Sequence, residues 1–527
     1  MARLICPAEG TTPRKRTYLG IELGSTRIKS VLMDEQYRIV ASGGYTWEST
    51  LEGGIWTYSL EEAAAGLRAA LRELLADLEE DAVLQCVGLS GMMHGYLAFD
   101  EDWELLTPFR TWQNTMTREA AEELTELLQF NIPQRLSVAH LYQAVLNGEE
   151  HVPRLRHLTT LAGYLHYRLT GVDAVCVDEA SGMFPIDCGE LAYDRGMAAK
   201  TEALLAAHGA AVSVEALFPG VLAAGAAAGR LTKEGCAFLE GLLPEGVPFA
   251  PATGDGGTGM AATNSVAPRT GNVSAGTSIF ADIVLERPLK KLYPEIDIVT
   301  TPAGRPVAEI HGNNCTADMN MWVRLFGELL ALFGRNVSED ELFRRLYVLS
   351  LEGEADCGGI GILNYLAGEC VTHIDEGRPL MIRRPDSALG LANFIRAHLY
   401  SVFATLKVGI DLLRDEEVRI DRLMGHGGVF KTKGVGQRYL AAACGTEVTC
   451  LEHAGEGGPY GMALLCAYVF QRDEGESLED FLASKVFRDA GMETVLPREE
   501  DEEGFRHYLE RFENCIELDR RALELGL

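Results

Sequence analysis

The sequence predicts an α/β protein built from two similar domains, and three observations carry that expectation. Short apolar, strand-like runs alternate with helix-like segments along most of the chain, the pattern of a sheet whose ligands sit at strand ends. At 527 residues the chain is too long for one hydrophobic core. The opening pattern GIELGSTRIKSVL also returns about half a chain later as GNVSAGTSIFADIVL (Gly271–Leu285), reading strand, small polar turn and strand both times.

Taken in order, residues 1–16 read as a loose basic leader. From Thr17, YLGIEL is an apolar run, Gly24-Ser25-Thr26 a tight turn and RIKSVLMD an alternating strand. A third strand is expected near Tyr37–Tyr45. Ser59–Leu78 has a serine cap, early acids and helical apolar spacing, and Val83–Ser90 reads as a buried strand. Helices are expected at Thr117–Phe130 and at Arg154–Leu169, the second stopped by Gly171. Further helices are expected at Ala317–Phe333, Leu389–Leu413, Gly434–Cys444 and Pro459–Phe470. The resulting division is a domain over 17–265, a second over 266–470, and an acidic helical tail, 471–527, packing on the second.

Composition excludes several classes of function. There are 77 acidic and 47 basic residues, a formal charge of -30, which repels duplex nucleic acid and anionic membranes alike. The 12 cysteines are scattered without a C-x-x-C pair, so neither a disulfide framework nor a zinc site is indicated and reduced core positions are expected. No apolar stretch resembles a secretory signal or a membrane span. A cytoplasmic location is the expectation.

Five constellations could carry chemistry. Gly24-Ser25-Thr26, with Lys29 beyond it, is a hairpin tip whose backbone N–H groups could cradle phosphate oxygens, and Glu22 just before it could hold water on a magnesium ion. An ordinary turn beside a strand glutamate gives the same pattern. Gly276-Thr277-Ser278 repeats these features in the second half, which suggests a nucleotide held by both halves. In ATGDGGTGMAAT (Ala252–Thr263), Asp255 sits among glycines before a small-residue helix, where close approach and a helix N-terminus favour a phosphate; a glycine-rich turn with a capping aspartate is the plain alternative. The spacing is neither a P-loop nor a dinucleotide fingerprint. His94 ends a strand in GLSGMMHGYLAF and could hydrogen-bond a sugar hydroxyl, although a lone histidine is often structural. Gly427 and Gly428, between a strand and a helix, could pack flat against adenine or form a simple turn.

In this order the pieces resemble the FGGY family of carbohydrate kinases, within the actin-like ATPase-domain superfamily, from Tyr18 to about Tyr468. LGIELGSTRIKSVL resembles the first phosphate loop, and GLSGMMHG the G-Q-M-H-G stretch of xylulokinases. YLHYRLTGVDAVCVDEASGMFPID is similar to a helix-TG-strand segment carrying Asp-x-Ser/Ala-Ser/Ala-Gly, TGDGGTGMAA to the catalytic loop, and SAGTS to the second phosphate loop. NFIRAHLYSVFATL and GEGGPYGMALLCAY are similar to C-terminal helices of the family.

The resemblance implies two actin-like ATPase (ribonuclease H-like) α/β domains with a central cleft that closes over ATP and a sugar. It implies transfer of phosphate to a hydroxyl of a small sugar, a xylulose- or ribulose-like pentulose, with ATP and Mg2+. Asp255 would be the general base. Met93, His94, Trp112, Asp255 and Gly256 would border the sugar. Gly24, Ser25, Thr26, Lys29, Gly276, Thr277 and Ser278 would meet the phosphates, Gly427 and Gly428 the adenosine, and Glu22 with Asp255 the metal through water. The expected partners are the sugar and ATP, with no nucleic acid and no membrane, and the expected assembly is a homodimer.

Three positions depart from the family. Glu22 stands where aspartate is usual. Gly256 follows the catalytic aspartate where xylulokinases have asparagine. RTWQNTMT keeps Trp112 of W-x-D-x-R but loses the acid. Two other classes share much of the pattern: an actin-like ATPase, against which the His94 segment speaks, and a sugar-binding relative without catalysis, against which Asp255 speaks.

Overall fold

Alternating apolar residues send every second side chain of the opening hairpin into a core, and a sheet grows from that hairpin. The computed structural model describes residues 3–6, 15–451 and 457–527, and the chain divides into two compact units. In the first, strands β1 (Leu4–Ile5), β2 (Arg16–Leu23), β3 (Arg27–Asp34) and β4 (Ile39–Thr46) are followed by helix α1 (Leu60–Asp77) and strand β5 (Ala82–Gly91). They lie in the order β1-β5-β2-β3-β4. β2 and β3 are antiparallel, and β5 runs parallel to β2 and to β1. β5 is buried at nine of its ten positions, as a strand covered on both faces should be. α1 starts where the Ser59 hydroxyl accepts the N–H of Glu62. Its Leu67, Leu71 and Leu74 share a core with Leu19, Ile21 and Leu32.

Two expectations change here. Leu4–Ile5, expected in a loose leader, pairs with Ala82–Val83, and the N–H of Arg3 reaches Asp81 at 2.9 Å. The buried strand β5 would otherwise begin with an open edge. Residues 7–14 of the expected leader lie outside the described residues. The helix expected over Arg154–Leu169 is a 3-10 turn at Val152–Arg154, then a strand, then a shorter helix. Strand β6 (Leu97–Phe99) pairs with β7 (His157–Thr159), where Trp103 stacks on His157 and Tyr167. Helix α2 (Leu161–Thr170) begins after Thr160, whose hydroxyl accepts the N–H of Gly163 at 3.2 Å.

The unit continues through the short helix α3 (Val177–Ser181) to strand β8 (Thr253–Gly254) and helix α4 (Asp255–Ala262). β8 runs parallel to the end of β5. The helix Gly457–Gln471 packs on β2, β5 and α4, and Asp297–Val307 also belongs to this unit. Packing thus divides the chain differently from the linear 17–265 and 266–470 division.

The second unit repeats the plan. Its strands β9 (Thr270–Ala275) and β10 (Ile279–Val284) form the second hairpin, followed by β11 (Pro306–Gly312), helices α5 (Ala317–Leu332) and α6 (Leu391–Arg414), strand β12 (Arg422–His426), helix α7 (Val435–Cys444) and strand β13 (Glu447–Leu451). β12 lies parallel to β9, as β5 lies beside β2. The end of the chain adds strand β14 (Met492–Val495), antiparallel to β13, and helix α8 (Glu499–Glu524). The side-by-side order is β11-β10-β9-β12-β13-β14. The region expected as a helical tail therefore completes this sheet, while its residues before Gly491 pack with the first unit. All 12 cysteines are free. Among the described residues no helix is long and apolar enough to cross a membrane.

Candidate active site

Three parallel strand ends meet at one edge of the first sheet. Leu23 of β2 is in register with Gly91 of β5, and Gly91 with Gly254 of β8. Glu22 lies beside Ser90 on one side and Lys29 on the other. Asp255 follows directly on β8 and opens α4, where the helix dipole favours a carboxylate. Its Oδ1 accepts the N–H of Met93 at 3.4 Å and that of Gly256 at 3.1 Å. The Thr258 hydroxyl donates to the carbonyls of Gly254 (3.2 Å) and Asp255 (3.1 Å) and lies 3.0 Å from the Ser90 hydroxyl. An exposed carboxylate thus stands on a backbone tied from below.

Met93 and His94 continue from β5 and are buried. His94 has φ of 69°, a left-handed conformation that turns the chain sharply. Its Nδ1 lies 3.0 Å from the carbonyl oxygen of Gly182. Donation there makes Nε2 the acceptor nitrogen. Trp112 is 40% exposed, on the loop just beyond the backbone bonds that join Arg110 to Tyr96. Asn114, in the segment that lacks the acid, turns inward instead. Its Oδ1 accepts the Trp56 N–H at 2.9 Å, and its Nδ2 donates to the carbonyls of Trp56 (2.8 Å) and Thr111 (3.0 Å).

The two glycine-bearing tips are built alike. In the first unit the Gly24 N–H donates to the Arg27 carbonyl. The Gly24 carbonyl accepts from Trp47 Nε1 at 2.7 Å, the Ser25 carbonyl from the Tyr58 hydroxyl at 2.7 Å, and the Thr26 carbonyl from the Trp47 N–H at 3.1 Å. Trp47 and Tyr58 pack ring to ring at 4.4 Å. With three carbonyls held from behind, the peptide planes of an exposed tip are fixed. In the second unit the Gly276 N–H donates to Ser278, and the Gly276 carbonyl accepts from the Thr316 hydroxyl at 2.8 Å. The parallel pairing of β9 with β12 brings Gly427 against Ala275, directly before that tip. Gly427 has φ of 94°, and a Cβ there would lie 2.5 Å from the Ala275 carbonyl oxygen, so Gly276–Ser278 and Gly427–Gly428 form one surface.

Beneath Asp255 lies a pair of acids from the Asp-x-Ser/Ala-Ser/Ala-Gly segment, to which no role in the site was assigned from sequence. Asp178 and Glu179, on α3, are fully buried. Burial pushes the Asp178 carboxyl up to about 7. Burial raises Glu179 well above its usual range, and the charges of Asp178 and Asp255 add to that. Asp178, Trp47 and Tyr58 are distant in sequence from what they hold. A motif-like signal, VDEASG, existed for the first alone.

Residues 17–262 match the N-terminal domain of the FGGY family of carbohydrate kinases, and residues 271–470 its C-terminal domain. The xylulose kinase of Haemophilus influenzae is 22% identical over 462 residues, covering 82% of this chain and 87% of that one. The xylulose kinase of Bacillus subtilis is 24% identical over 518 residues, covering 94% and 96%. Among solved structures, the ligand-bound xylulose kinase of Lactobacillus acidophilus superposes with a TM-score of 0.78 at 15% identity, over 96% of this chain and 98% of that one.

Proposed function

Because the chain belongs to the FGGY family of carbohydrate kinases, we propose that it transfers the γ-phosphoryl group of ATP to a hydroxyl of a small ketose, a pentulose of the xylulose or ribulose kind, with Asp255 as general base. The observation that carries this reading is the placement of Asp255. It is an exposed carboxylate at a helix N-terminus beyond parallel strand ends, with one oxygen held by the N–H groups of Met93 and Gly256.

Phosphoryl transfer asks a protein for positioning and charge neutralisation more than for covalent chemistry. In this reading Asp255 orients the attacking hydroxyl and accepts its proton as the new O–P bond forms. Met93 and His94 border the sugar, with Nε2 of His94 offering an acceptor to a hydroxyl, and Trp112 and Gly256 line it. The tip Gly24–Thr26, with Lys29, meets phosphate oxygens in the first unit. In the second unit Gly276–Ser278 does the same, and Gly427 and Gly428 lie against the adenosine. Among the described residues no group of three or more His, Cys, Asp or Glu side chains is arranged to hold a metal ion. Magnesium usually keeps its waters and binds one or two carboxylates and substrate phosphates. Glu22 and Asp255 fit that donor set, and the ion would neutralise phosphate charge there.

Turnover tests the reading. ADP release with ATP and magnesium should depend on added sugar, and pentuloses should lead a panel of ketoses, aldoses, polyols and sugar acids. Asp255→Asn should lower kcat by about 10²–10⁴-fold while calorimetry still shows ATP and sugar binding. Sugar-independent ADP release, or an Asp255→Asn enzyme with most of its turnover, would overturn it.

A further inference from the structure

We infer that Asp178 is a positioning residue for Asp255, a role that rests on the kinase reading above. A general base is useful only where its backbone holds it, since a misplacement of about 1 Å can cost on the order of 10²-fold in rate. The backbone under Asp255 is gripped from two sides. On the helix side, Thr258 and the N–H of Met93 hold the carbonyls and carboxylate already described.

Below, Oδ2 of the fully buried Asp178 accepts the N–H of Gly254 at 3.0 Å, directly before Asp255. The same oxygen would lie 2.0 Å from a Cβ at residue 257. The first turn of α4 is thus pressed onto the carboxyl, and glycine at 257 is what lets it approach. α3 is itself anchored. The Ser181 hydroxyl donates to the Asp178 carbonyl at 2.5 Å and accepts the Thr300 N–H at 3.1 Å. Burying a carboxyl is costly, and this one grips the loop that carries the base.

The test separates acceptor, charge and bulk. Asp178→Asn keeps an oxygen for the Gly254 N–H, whereas Asp178→Ala removes it. Turnover is measured per folded protein, and hydrogen exchange is followed by mass spectrometry in the peptide spanning Gly254. Asp178→Ala should lose about 30–100-fold in kcat with unchanged KM for ATP and sugar, and its peptide should exchange faster. Asp178→Asn should stay within about threefold of wild type in kcat, with the peptide still protected.

Wild-type kcat and protection in Asp178→Ala would overturn the inference, as would an Asn variant as impaired as Ala. If Asp178→Ala does not accumulate folded, Asp178→Val replaces it under the same two outcomes. Exchange is read without turnover, so it judges the grip on Gly254 even if no sugar is phosphorylated. Wild-type turnover alone judges the kinase reading.

Discussion

At the scale of single residues, the glutamate at position 22 shows how a departure from a family pattern is accommodated. Its side chain is one methylene longer than the usual aspartate, and the space comes from the helix Gly457–Gln471. A Cβ at Gly458 would lie 2.2 Å from Glu22 Oε1 and 3.2 Å from Oε2. A side chain at position 458 would therefore force the Glu22 carboxylate to move. Gly458→Ala should push the carboxylate aside, lowering kcat about tenfold and raising the magnesium needed for half-maximal rate. Adding Glu22→Asp shortens the side chain and should recover part of the loss, an interaction of roughly 1–2 kcal/mol in a double-mutant cycle. Simple additivity of the two changes would remove the coupling. The sequence showed Glu22 as unusual. It could not show the compensation, because 436 positions separate the pair and part of the GEGGPYG stretch lies outside the described residues.

Among elements, a local signal helped but did not suffice: helix Glu339–Ser350, capped by Ser338 with three acids in its first turn, was not expected. Both hairpins, the strand before Met93 and the glycine-rich turn of Asp255 announce themselves by periodicity and small residues, and they form where expected. The helix Ser137–Leu146 was missed. It is short, all but its last residue are buried, and it opens after Leu136 with no side-chain cap to mark its start. The break at Thr160 carries a local mark, its capping hydroxyl, but the strand just before it exists through pairing with Leu97–Phe99, which is distant in sequence. The pins behind the two glycine-bearing tips come from residues distant in sequence and were not legible in it. Trp47→Phe keeps an aromatic ring but loses the indole N–H and its bond to the Gly24 carbonyl, and one such bond contributes about 0.5–1.5 kcal/mol. The KM for ATP should rise about two- to tenfold with the sugar KM unchanged. Thr316→Val should do the same through the Gly276 carbonyl. A rise in sugar KM instead would separate these tips from the nucleotide.

For the whole molecule, charge decides how stability moves with pH. A formal charge of -30 repels itself near neutrality and relaxes as carboxylates protonate toward the isoelectric point near 4.8. Buried carboxyls act in the same direction. Burial raises Glu369, which accepts hydrogen bonds from Asn314, from 4.5 to about 7, and Asp178 is raised likewise. A raised carboxyl favours the fold while neutral, so its contribution is full below its unfolded value and is lost as pH climbs toward 7.

Asp501 works the other way. Burial would raise it, but Arg438 and Arg396, at 2.6 and 2.7 Å, hold it below its usual range. Its contribution is present above the usual carboxylate value and is lost as pH falls through the lower one. Buried His140, His166, His398 and His426 are lowered by burial and cost stability as pH falls below the ordinary histidine value of about 6.5. The carboxyl slope is therefore read above that value, where the melting temperature falls toward pH 8. Glu369→Gln isolates one part of that slope, since glutamine mimics the neutral acid. Against wild type it should gain nothing at pH 4 and about 3 kcal/mol at pH 8, a shift of several degrees. Half-molar salt should flatten the self-repulsion shared by both proteins but leave this difference in place, because the group is 1% exposed. Melting curves for wild type and variant that run parallel from pH 4 to pH 8 would show that Glu369 ionises in the folded protein no differently than in the unfolded chain.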